Sequence, residues 1–150
     1  MEHYEINDST LAIKPLNDAT SIVYEKDRNF TINQKTTQII NYSCKYFGSS
    51  YQGRFEGAKD LLGMNYKLPI IIEESKEIIF FPTSSPRYEN CCWISLKNIE
   101  NYIKKDNSVI INFKNGVNLD FDLSINSLEN QIFRALRLEK ILKTRKTAII

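Results

Sequence analysis

The sequence predicts an α+β fold: a bent, mainly antiparallel sheet, open like a half-barrel of the pleckstrin-homology kind and closed by a C-terminal helix. Three observations carry this. Short β-branched and aromatic runs alternate with turn residues over most of the chain, residues 109–123 spell a tight hairpin around Asn115-Gly116, and residues 127–144 keep one apolar stripe at helical spacing. With 150 residues, one domain over 1–150 can bury about 70% of the surface its unfolded form exposes, so no disulfide staple is required.

In order, Tyr4 to Ile6 and Leu11 to Leu16 read as short strands, and Ser21 to Ile32 as a hairpin divided by a turn at Asp27 to Asn29. Thr36 to Tyr42, with Thr36, Thr37, Ile39 and Ile40, reads as a further strand on β-propensity. Gly48 to Ser50 make a turn. Tyr51 to Leu62 then fits either a short helix with Phe55, Ala58 and Leu62 on one side or a loop-rich segment, because Gly53 and Gly57 each weaken a helix. Ile70 to Ile72 and Ile78 to Phe81 form a second hairpin bounded by Pro69 and Pro82, with Glu73 to Lys76 as its turn. Pro82 to Asn90 is loop and Cys91 to Leu96 strand. Ile99, Tyr102 and Ile103 fit a helical turn by spacing and a strand by context.

The hairpin over Val109 to Leu123 has a register that can be worked out. A two-residue turn at Asn115-Gly116 would set Phe113 against Asn118 and split the apolar rows between opposite faces. A three-residue loop, Lys114 to Gly116, pairs Phe113 with Val117, Ile111 with Leu119 and Val109 with Phe121, and makes one face apolar throughout. The predicted connection is a type I turn with a bulge and Gly116 at positive φ. The helix from Ser127 to Thr144 starts at an Asn126/Glu129 capping box. It presents Leu128, Ile132, Ala135, Leu136, Leu138 and Leu142 as its stripe, with Glu139 paired to Lys143.

Net charge is +2, which excludes nothing, but its distribution is uneven. Residues 1–30 carry Glu2, Glu5, Asp8, Asp18, Glu25 and Asp27 against Lys14, Lys26 and Arg28. Residues 131–150 carry Arg134, Arg137, Lys140, Lys143, Arg145 and Lys146 against Glu139. The basic end suits a polyanion, and equally the C-terminal dipole of a solvated helix. With no leader-like apolar start and no run long enough to span a bilayer, a reduced, cytoplasmic protein away from the membrane is expected.

Several chemistries find no residues. His3 is the sole histidine and no Cys-x-x-Cys spacing occurs, so no metal or other cofactor is expected. Cys44 lacks an activating base and reads as a small core residue. Beside Trp93, strand alternation buries one of Cys91 and Cys92 and exposes the other. Glu73 and Glu74 fall in an ordinary turn, so the chain is not expected to be an enzyme.

The richest stretch is Tyr42 to Gly57, YSCKYFGSSYQGRFEG. Its GSSYQGR segment is neither a P-loop nor a dinucleotide fingerprint. It combines close-approach glycines, the hydroxyls of Ser49, Ser50 and Tyr51, and Arg54, flanked by Lys45 and Lys59. Hydroxyls and amides bind phosphate oxygens and Arg enters narrow A·T-rich minor grooves, so this is a candidate DNA surface; a structural turn with Arg54 in an ion pair reads the same residues differently. Arg134, Arg137 and Lys140 form the competing surface, where Phe133 and Ile141 also suit a subunit interface.

The run Cys44-Lys-Tyr-Phe-Gly-Ser-Ser-Tyr-Gln-Gly-Arg54 resembles the signature of the ComK family, bacterial competence transcription factors. Further matches follow in order: Pro69-Ile70-Ile71, Phe80-Phe81-Pro82-Thr83, Cys91 with Trp93-Ile94-Ser95, Asn115-Gly116, and Ser127 with Glu129-Asn130-Gln131. Cys92 stands where the family has Gly, and Leu128 where it has an aromatic. The resemblance implies an activator of DNA-uptake genes that binds paired A/T-rich boxes of double-stranded DNA through the minor groove as a homo-dimer or higher multimer. It also implies control by a proteolytic adaptor, although the tail through which better-known members are targeted is not in this sequence. The half-barrel analogy carries the alternative of a protein-interaction or lipid-binding module without DNA binding.

Overall fold

The computed structural model describes residues 3–148; Glu2, counted above in the acidic N-terminal segment, lies outside them. The fold is α+β, with all paired strands antiparallel and no closed barrel. Among the described residues nine strands precede the last helix: β1 Thr10–Pro15, β2 Ser21–Glu25, β3 Asn29–Ile32, β4 Ile70–Glu73, β5 Ile78–Pro82, β6 Trp93–Ser95, β7 Ile99–Lys105, β8 Ser108–Phe113 and β9 Asn118–Phe121. Helices α1 (Thr36–Tyr46) and α2 (Tyr51–Leu62) fall between β3 and β4, and α3 (Ile125–Ala148) follows β9. The strands form a six-stranded sheet in the order β3-β2-β1-β6-β5-β4 and a three-stranded sheet in the order β7-β8-β9.

Both faces of the larger sheet are covered, and the strand period of two divides its side chains between two cores. Ile13, Val23, Ile70, Ile72, Phe80 and Trp93 face α1, where Ile39, Ile40 and Cys44 meet them. Ala12, Ile71, Ile79, Phe81 and Ile94 face the opposite core, filled by Leu128, Ala135 and Leu138 of α3 and by Val109, Ile111 and Phe113 of the smaller sheet. Because both faces are buried, β5 reads as an unbroken apolar run. Lys14 ties the sheets together: its Nζ donates to the Asp120 carbonyl and lies 4.5 Å from the Phe121 ring centre.

The β8–β9 register is as expected, with Val109 opposite Phe121 and Ile111 opposite Leu119. The Phe113 amide donates to the Val117 carbonyl at 2.8 Å and Gly116 has φ +90°. Residues 99–105 resolve to strand. Glu73 ends β4 and is not in the turn expected from Glu73 to Lys76, which runs over residues 74–77; its carboxylate accepts the Ser75 and Lys76 amides at 3.0 and 2.8 Å.

Four expectations are corrected. Thr36 to Tyr42 is not a strand but most of α1, whose buried residues Thr36, Ile39, Ile40, Ser43 and Cys44 follow helical spacing. Tertiary packing on that stripe outweighs the β-branched composition. Tyr4 to Ile6 is not a strand either. The Ile6 amide donates to the Ser43 hydroxyl at 3.0 Å, and the Tyr4 hydroxyl is held at 2.5 Å by Glu25, so side chains anchor the segment without a ladder. The last helix begins at Ile125, capped by Ser124, whose Oγ accepts the Ser127 amide at 3.1 Å; Glu129 instead accepts the Tyr102 hydroxyl at 2.9 Å. Leu136 leaves the expected stripe and is 44% exposed, while Gln131, outside that stripe, is buried at 2%. The Lys143–Glu139 pair forms at 3.7 Å.

Candidate nucleic-acid interface

The signature stretch builds two helices joined by Phe47 to Ser50, and most of its unusual residues have local duties. The amides of Gly48 and Ser49 donate to the carbonyls of Lys45 and Cys44 at 3.0 and 2.9 Å, closing α1 with Gly48 at φ +88°. That is a Schellman closure, in which glycine carries the left-handed residue. Ser50 then caps α2: its Oγ accepts the Gly53 amide at 2.9 Å. The Tyr51 amide donates to Asn41 Oδ1 at 2.9 Å, which locks α2 to α1.

Of the remaining residues, Lys45 is exposed on the last turn of α1 and Lys59 on the last turn of α2. Both suit the negative end of a helix dipole and leave their charges in solvent. Ser49 is half-buried. The Tyr51 ring lies edge-on to Trp93 at 6.3 Å, and burial raises its hydroxyl pKa. Arg54 is half-buried, with its Nε enclosed and unpartnered and its charge close enough to Cys44 to act on it. Burial still pushes the Cys44 thiol up to about 11, which fits a core residue and not a nucleophile.

The cations of α3 sit elsewhere. Arg134 Nη1 donates to the Tyr66 carbonyl at 3.3 Å and to Gln131 Oε1 at 3.1 Å, with its guanidinium 5.1 Å from the Tyr66 ring centre. Arg137 Nη1 donates to the Leu62 carbonyl at 3.4 Å, at the C-terminal end of α2. Lys140 is exposed, as is Phe133 at 64%. Lys45, Ser49, Ser50 and Tyr51 therefore gather at the start of α2, while Lys59 and Arg137 gather at its end, one helix length or about 18 Å away. The two sequence candidates flank one helix without forming one cluster.

Gln131, within a matched motif, and Thr36, which bonds to one, acquire roles that the sequence did not disclose. Gln131 donates from Nε2 to the carbonyls of Lys67 and Pro82 at 3.0 and 2.7 Å. Thr36 Oγ1 donates to the Cys91 carbonyl at 3.1 Å and pins α1 to the approach to β6. The motifs are thus the joints between layers. Compared with known families, the chain matches the ComK protein model over residues 1–147. The chain belongs to the ComK family. It is 36% identical over 138 residues to the competence transcription factor of Bacillus subtilis (strain 168), an alignment taking in 89% of this chain and 72% of that relative. No solved structure matches it. Among the described residues no helix is long and apolar enough to cross a membrane, and no three His, Cys, Asp or Glu side chains converge as a metal site would need.

Proposed function

We propose that this protein is a DNA-binding transcription activator of competence genes that binds A/T-rich duplex through the minor groove as a multimer, inside the cell and without enzymatic activity. The observation that carries the reading is the family membership, together with a relative named a competence transcription factor that aligns over most of the chain. The structure supplies a surface compatible with it. Lys45 extends from the two-helix corner, where Ser49 and Tyr51 lie at the start of α2, while Lys59 extends from the far end of α2 beside Arg137, with Lys140 further along α3. Phe133 and Leu136, exposed on that helix, suit the contact between copies.

The test is fluorescence anisotropy on an A/T-box duplex and a G·C-scrambled control at several salt concentrations. Preference for the A/T duplex, a log-log salt slope of about −0.9 for each phosphate neutralised, and displacement by a minor-groove ligand are expected. Lys45→Ala should weaken binding to both duplexes and flatten the slope by about one phosphate, whereas Arg54→Ala should reduce the A/T preference. Salt-insensitive binding to a peptide or lipid, with no duplex preference, would instead place the chain among interaction modules.

A further inference from the structure

A groove of about 290 Å³ opens beside the signature helix, walled by Tyr51 and Phe55 of α2, by Tyr66 and Lys67 of the connection to β4, and by Pro86 and Arg87 of the β5–β6 loop. Its chemistry is one-sided. Two cations and three aromatic rings line it, and no carboxylate does. A second groove, at the start of α1, shares Arg87 and adds Lys35, but sets the carboxylates of Asp18 and Glu89 against them. Tyr66 is 59% exposed although Arg134 lies over its ring, so a ring face remains for a ligand.

The walls are also fixed in place. Lys67 has φ +52°, an uncommon conformation for a residue with a side chain, and such backbone persists only where the surroundings enforce it. Arg134 Nη1 reaches the Lys67 carbonyl at 3.5 Å, and Gln131 is the group common to both rims. Its one buried amide nitrogen holds the Lys67 carbonyl on one side and, on the other, the Pro82 carbonyl at the root of the loop that carries Arg87. Both rims thus refer to a single side chain of α3, and a ligand meets preformed walls.

We propose that this groove is a nucleotide site, with the phosphate held by Lys67 and Arg87 and the planar base packed against Tyr66, Tyr51 and Phe55. Cations bind phosphate oxygens through charge-assisted hydrogen bonds, and aromatic faces stack on any base, so the combination selects a ligand with both parts. The nucleotide is either a free nucleoside phosphate or, in an extension that rests on the DNA-binding reading above, a nucleotide unstacked from a DNA strand that passes α2; the site chemistry is shared.

Trp93, the sole tryptophan, stands edge-on to Tyr51 and reports on the groove. Titrating wild type with thymidine monophosphate should give a saturable change in Trp93 emission, with thymidine and ribose 5-phosphate each binding about tenfold or more weakly. The variant Lys67→Asn/Arg87→Gln, in which Asn tolerates the left-handed backbone, should lose about tenfold or more while keeping the wild-type unfolding midpoint. No saturable signal into the millimolar range, or equal affinity in the variant, overturns the proposal. Displacement of the monophosphate by A/T duplex, with duplex affinity also lost in the variant, assigns the groove to a DNA strand; duplex binding that is unaffected assigns it to a free nucleotide. Failure of wild type to bind duplex at all, with monophosphate binding intact, removes the DNA reading and leaves the groove standing.

Discussion

Gly57 offers a sharp test of the structure. It lies inside α2, is exposed, and a Cβ added there would meet nothing within 4 Å. A glycine in such a position costs about 1 kcal/mol relative to alanine, through backbone entropy alone. Gly57→Ala should therefore stabilise the protein by about 1 kcal/mol, or about 2–4 °C in Tm for a chain of this size. Gly53 is the internal control. Its added Cβ would lie 3.2 Å from the hydroxyls of both Ser49 and Ser50, and Ser50 Oγ is the acceptor that caps α2 through the Gly53 amide itself. Displacing that cap costs about 1 kcal/mol, so Gly53→Ala should leave stability near its starting value. Urea unfolding of both variants, compared at equal m values, measures the difference. A Gly57→Ala midpoint at or below wild type would refute the assignment of an open helical site. Measured alongside, A/T-duplex affinity should move the other way if α2 lies against DNA: the methyl group that steadies the helix would hold the phosphates off.

Two further outcomes follow from single residues. Gly116→Ala places a side chain at φ +90° and should cost about 1–2 kcal/mol by chemical denaturation, with the β8–β9 pairing retained at low temperature. Glu25 is buried; burial pushes its carboxyl up, but the Tyr4 hydroxyl and Arg28 donating to it bring it below the usual range. Because the folded value lies below the unfolded one, Glu25 stabilises the protein above the ordinary glutamate value of about 4.3, and that contribution disappears as pH falls through the folded value. Melting temperatures followed from about pH 6 down to about pH 3 should drop steeply for wild type and less steeply for Glu25→Gln.

What the sequence disclosed was what short-range rules govern. The β8–β9 register follows from a period of two and one glycine, and the β4–β5 hairpin from its flanking prolines. At α1 two local signals conflict. Thr36, Thr37, Ile39 and Ile40 favour a strand by composition, whereas 36, 39, 40, 43 and 44 favour a helix by spacing, and only a window reaching past Tyr42 exposes the second. Of the candidate site, the sequence marked the right stretch but not the duties of its parts, because Gly48 acts on a helix end that the strand assignment had removed and Ser50 on the start of a segment left open between helix and loop. The docking of Arg134 and Arg137 on carbonyls beside α2, and the two hydrogen bonds of Gln131, join residues 49 to 75 positions apart and leave no trace in local pattern.

The pairing of β1 with β6, Ala12 with Ile94 and Ile13 with Trp93, sets the order in which a newborn chain can mature. The ribosome delivers the first hairpin long before its partner. At about 5–20 residues per second, some 80 residues of further synthesis leave the free edge of β1 uncovered for about 4–16 s. That edge runs through Leu11, Ala12 and Ile13, all fully buried in the finished protein. Unpaired apolar edges recruit other strands, so polysomes crowded with half-made copies are where this protein is most exposed to aggregation. Slower initiation on the message, by spacing those copies apart, should raise the soluble yield more than any stabilisation of the mature fold.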